Sequence, residues 1–114
     1  MSRAYTVEEM QKIFLNHLEA LNNYWARVDL TRPEFAQCLA EKGDALYRLE
    51  GLTHSILCVL DGVACGLPAF EVTPAPHSSD KEFHESEGKN WWPVDVGIHG
   101  GEYLHEAWSA KHRK

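Results

Sequence analysis

Apolar residues set a regular rhythm over the first sixty positions. Val7, Met10, Phe14, Leu18, Leu21, Trp25 and Val28 recur at steps of three and four, and Ile13 and Tyr24 widen the stripe. That spacing places them on one face of a helix over residues 7–28. Thr6 followed by Glu9 opens it as a capping box, in which each residue satisfies the other's backbone N–H. A second start signal follows, with Thr31 as N-cap, Pro33 in the first turn and Glu34 completing a box. Phe35, Leu39, Leu46, Leu49, Thr53, Ile56, Leu60 and Val63 then keep one face, which predicts a helix of roughly thirty residues. Gly43 and Gly51 lie inside it. Each costs about 1 kcal/mol relative to Ala, so a break, a kink or the close approach of another helix is expected there. Ile56–Leu60 is apolar on every side. It suits a central strand turning at Asp61-Gly62 as well as a buried helix, and the unbroken phase of the stripe favours helix. Gly62, Gly66 and Pro68 end this regular region.

From residue 69 the texture changes. Phe70-Glu71-Val72-Thr73 alternates briefly before Pro74, which predicts a short strand or extended segment. Ser79 with Glu82 reads as a third capping box, opening a short helix over about residues 80–87 that Gly88 terminates. Asp95 to Ile98 is a second short-strand candidate, weakened by Gly97. Glu102 to His112 reads as a closing helix. The expected fold is α+β and mainly helical. Two long N-terminal amphipathic helices pack with a short-stranded, irregular C-terminal segment and a closing helix, in one domain over residues 1–114.

Composition narrows the function classes. Seventeen acidic residues against 11 basic ones give a formal charge of -6, which argues against a nucleic-acid binder that works by neutralising phosphates. The basic cluster at Lys111 to Lys114 reads as a solvated tail. No secretion signal is expected, because residues 1–20 carry charges throughout. The longest clean apolar run, Ile56–Leu60, falls far short of the roughly 20 residues that a membrane span needs. Cys38, Cys58 and Cys65 are odd in number and irregularly spaced, and Cys38 and Cys58 have apolar neighbours. Buried free thiols in a reducing cytoplasm fit that pattern.

Candidate chemistry concentrates in residues 70–108, which hold four of the seven histidines and three of the four tryptophans. Asp80 and His84 are four apart and share a helix face, with His77 at its entry. Together with His105 they form a candidate metal set, because imidazoles and a carboxylate suit zinc or another transition metal. Glu85, His99 and Glu106 are available to support it. The helical zinc-protease signature, a phosphate loop and a nucleophile elbow are all missing, so no catalytic residue or cofactor is assigned. Asn90-Trp91-Trp92-Pro93 is a candidate binding segment. Adjacent tryptophans cannot both point inward in regular structure, and exposed aromatics anchor interfaces.

These features imply a small acidic cytoplasmic protein acting as a non-enzymatic protein-binding or regulatory module. Its partner is expected to be another protein or a second copy, with neither nucleic acid nor membrane. An acidic exterior suits a basic partner. The alternative is a metal-dependent enzyme using histidines and carboxylates of residues 77–106. That alternative expects His77, His84, His99 and His105 to converge on a concave pocket. The binding account expects an exposed patch containing Trp91 or Trp92.

Overall fold

In the computed structural model, which describes residues 2–64 and 66–112, the first stripe forms α1, Val7–Arg27. Its capping box is closed: the Glu9 amide donates to Thr6 Oγ1 (3.1 Å) and the Thr6 amide to Glu9 Oε1 (2.8 Å). The second start signal works differently. Thr31 donates its amide (2.9 Å) and hydroxyl (2.6 Å) to Asp29 Oδ1, and Glu34 pairs with Arg32. No box forms, and the chain enters a 3-10 turn at Pro33–Phe35 and then α2, Ala36–Lys42. The expected thirty-residue helix is broken at Gly43, whose φ of 83° lies in the left-handed region. The Gly43 amide donates back to the Leu39 carbonyl (2.9 Å), a glycine C-terminus of the usual kind. The stripe resumes in α3, Asp44–Leu60, so residues 54–60 are helical.

Two compact units divide within α3, one up to Leu57 and one from Cys58. The first is organised around Trp25. Its indole N–H donates to Ser55 Oγ (2.9 Å), and its backbone carbonyl accepts from Arg48 (2.6 Å). The ring lies over Gly51, where an added Cβ would come within 2.5 Å of it. Gly51 therefore allows α1 and α3 to approach closely. Tyr47 meets both Trp25 and Phe35 edge-on, an arrangement that suits the aromatic quadrupole. Lys42 and Glu50 form a half-buried ion pair at 2.6 Å. Cys38, expected to be buried, is exposed. Leu39, one position on, is half-buried and takes the inward side of this two-turn helix.

The second unit begins with the last turn of α3 and continues through irregular chain into α4, Asp80–Ser86, and α5, Leu104–Lys111. After α3 the chain reverses at Asp61-Gly62, and Phe70 donates its amide to the Leu60 carbonyl (2.9 Å). Gly62 has a φ of 80°, and Ala69 packs where its side chain would be. Cys58 is half-buried, and Cys65 falls outside the described residues.

The expected strands do not form. The described residues contain helices and no sheet, so the fold is all-helical rather than α+β. Phe70–Thr73 and Asp95–Ile98 do run side by side, with the Ile98 amide donating to the Val72 carbonyl (2.9 Å). Asp95 takes a φ of 59°, however, which no pleated strand accommodates. Pro74 and Gly97 bound the remaining stretch before a ladder can repeat. The Ser79 box is also absent, because Ser79 makes no side-chain cap and turns to His77 instead. Among the described residues, no helix is long and apolar enough to cross a membrane.

Candidate functional site

The strongest polar constellation in the second unit centres on Asp61, a residue the sequence marks only as a turn. It directly follows the apolar run that closes α3, so its carboxylate is carried inward, and its side chain is wholly inaccessible. A buried carboxylate needs donors, and the far end of the unit supplies them. Leu104 and His105, the first residues of α5, donate backbone N–H groups to Asp61 Oδ1 (2.9 Å) and Oδ2 (2.8 Å). The His105 ring adds Nδ1 at 2.7 Å from Oδ2, and His99 Nε2 lies 3.0 Å from Oδ1. Asp61 thus caps α5 from 43 residues away, in place of Tyr103, which makes no side-chain cap. It satisfies two of the orphan donors of the helix start and complements the positive end of its dipole. Burial acts to raise the Asp61 pKa. The N–H groups of His105 and Leu104 and the His105 ring outweigh that effect and hold it below the ordinary carboxylate value.

His99 also lines an open cleft of about 820 Å³, with Asp61, Phe70, Glu71, Glu102, Tyr103 and Glu106 among its walls. Gly97 forms part of the same wall, where an added Cβ would sit 3.2 Å from Glu71 Oε1. Tyr103 stacks on His105, with centroids 5.5 Å apart.

The candidate metal residues are split between this cluster and α4. His105 belongs to Asp61. His77 accepts from the Ser79 amide (3.1 Å) and hydroxyl (2.8 Å) at Nδ1. His84 donates from Nδ1 to the Asp80 carbonyl (2.8 Å), with Asp80 Oδ1 at 3.3 Å. Both are thus local partners of the turn that enters α4 and of its first residue. Among the described residues, no group of three or more His, Cys, Asp or Glu side chains is arranged to hold a metal ion. Of the four histidines expected to converge, His99 and His105 do so, on Asp61. The thiol of Cys58 is pushed up by burial and by the charge of Asp61, which favours its protonated form.

The candidate binding segment is exposed. Asn90, Trp91 and Trp92 are all exposed, Trp92 at 65%. Val94, Val96 and Ile98 continue the run at 50% exposure or more. The Lys81 ammonium lies 5.2 Å from the Trp91 ring centroid, a cation–π contact that steadies the indole. Trp92 and Ile98 also line a groove of about 400 Å³ with Val72, Pro74, Pro76 and Asp80. The sequence singles out this segment because two adjacent tryptophans cannot both point inward in regular structure, and here both stand exposed in irregular chain. It does not locate the Asp61 cluster, since nothing local links position 61 to positions 99–105. An aspartate at the end of an all-apolar run was the available signal. Comparison with protein-family models, with curated proteins and with solved structures finds no match for the chain.

Proposed function

We propose that this chain is a non-enzymatic cytoplasmic protein-binding module whose second unit captures a basic protein surface. The observation that carries this reading is the exposed run Trp91, Trp92, Val94, Val96 and Ile98 beside an apolar groove. A single exposed apolar residue needs no explanation, whereas a contiguous series of large ones marks an interaction surface. Trp92 is the anchor, because a large rigid ring loses little entropy on docking and buries much area. The groove beside it takes an aliphatic side chain of the partner.

Charge selects the partner. Residues 71–106 contain eight Asp or Glu against two Lys, so this stretch carries a net charge equal to that of the whole chain. Such a field attracts a basic surface and repels acidic ones. The Asp61 cluster serves this surface by fixing α5 and the chain before it, since its carboxylate oxygens are engaged by N–H groups of α5 and by two imidazoles.

The test is a tryptophan-fluorescence titration with a Lys/Arg-rich peptide bearing leucines, against a matched Glu-rich peptide. We expect saturable binding of the basic peptide alone, weakening steeply as salt rises through the range that screens exposed charges. Trp92→Ala should weaken it about tenfold or more, the loss expected of an interface anchor. Equal binding of both peptides, or an unaltered affinity in Trp92→Ala, refutes the proposal.

A further inference from the structure

We infer that the first unit pairs with a second copy of itself, α1 against α1, antiparallel about a two-fold axis near His17. The first half of α1 offers projections. Met10 and Ile13 remain 49% and 37% exposed although they belong to the apolar stripe. The second half offers a recess of about 330 Å³, lined by Ala20, Asn23, Tyr24, Arg27 and Val28. Met10, Ile13, His17, Ala20 and Tyr24 follow one another at steps of three and four, the spacing of a helix-pairing seam. The seam lies to one side of Phe14, Leu18, Leu21 and Trp25, which are half-buried, as is His17 at its centre. Two-fold pairing demands that one patch be complementary to itself. Turned end over end about His17, the span of the recess falls on the span of the projections. Met10 of the second copy then meets Tyr24, and its Ile13 meets small Ala20, twice over.

Charge fits the same geometry. Glu9 and Arg27 are eighteen positions apart, five whole turns at 3.6 residues per turn, so they flank the seam on the same side. In an antiparallel pair, like flanks face each other. Each Glu9 therefore approaches Arg27 of the other copy. Glu9 already pairs with Arg3 at 2.7 Å, so the contact extends an existing ion pair into a network. The opposed helix dipoles of an antiparallel pair add to the fit.

Sedimentation velocity over a concentration series, with disulfide trapping alongside, tests this. The wild-type chain should approach twice its mass of 13.0 kDa as concentration rises. Ile13→Glu and Ala20→Glu both fall on α1, and each should return the chain to monomer with an unchanged helical spectrum. In a Cys38→Ser background, His17→Cys should be trapped as a covalent dimer by mild oxidation. Glu19→Cys, on another side of α1, should not. A monomer at the highest concentration reached, a dimer that survives both glutamate substitutions, or trapping of Glu19→Cys as readily as His17→Cys overturns the inference.

Discussion

Asp61 is the buried charged side chain of the second unit among the described residues. Its inaccessible carboxylate accepts from the backbone N–H groups of Leu104 and His105 and lies against the His105 and His99 rings. Asp61→Ala leaves the first two amides of α5 without their acceptor inside a partly buried turn, and should cost about 2–4 kcal/mol by denaturant unfolding. Asp61→Asn keeps the size but presents an N–H group to at least one donor, and should cost nearly as much. The pH dependence has a definite sign. The folded-state pKa lies below the ordinary 3.8. The contribution of this carboxylate is therefore complete above that value and is lost as pH falls through the lower folded value. Thermal midpoints should decline as the pH falls below the ordinary carboxylate value, and less steeply in Asp61→Asn, which has one fewer proton to bind. An equal decline in both proteins would remove Asp61 from the account. Of the four residues with metal-ligand spacing in the sequence, only His105 reaches this cluster. His77 and His84 are tied to their own turn, because contacts within a few positions form irrespective of the tertiary fold, and Asp80 instead accepts from the Trp92 amide (3.4 Å).

At the scale of elements, the two glycines of the second stripe separate two physical effects. Gly43 has open space around it and a φ of 83°, whereas Gly51 has helical backbone and the Trp25 ring 2.5 Å from where a Cβ would be. Gly43→Ala is opposed by backbone strain, about 1–2 kcal/mol. Gly51→Ala gains helix propensity of about 1 kcal/mol but must push an aromatic ring out of a packed contact, and should destabilise by about 1–3 kcal/mol net. Trp25→Leu, destabilising by itself, should make Gly51→Ala close to neutral and leave the cost of Gly43→Ala unchanged. Denaturant unfolding of the two double-mutant cycles measures this. A coupling at Gly43 as large as that at Gly51 would refute it. The helices were legible because each is dictated by neighbours three and four positions away. The break at Gly43 rather than Gly51 was not, since the choice depends on which glycine meets a ring twenty-six positions earlier. The two strand candidates misled for a related reason. Alternation in Phe70–Thr73 is genuine, and its neighbour even donates one hydrogen bond, but a ladder needs extended backbone on both sides and Asp95 turns away.

At the scale of the whole molecule, few apolar side chains among the described residues are fully buried. Leu30 and Val59 are the apolar side chains counted as buried among the described residues, while Tyr5, Val7, Leu15, Leu49, Phe83 and Trp92 are each exposed by about 60% or more. Burial of apolar area is the main term opposing chain entropy, and a domain of this size has a small margin even when well filled. Covering the open faces therefore has to stabilise the folded state, and a second copy is the one partner always present at the chain's own concentration. Association that favours the folded form makes its unfolding depend on concentration. The thermal midpoint should rise by roughly 5 °C between about 5 µM and about 500 µM, as expected when 1 kcal/mol shifts a domain of about 100 residues by several degrees. Ile13→Glu should flatten that rise without altering the midpoint at the lowest concentration, because an exposed seam position contributes little to the isolated chain. A midpoint independent of concentration would mean that each copy is stable without the other, and would remove self-pairing from the account.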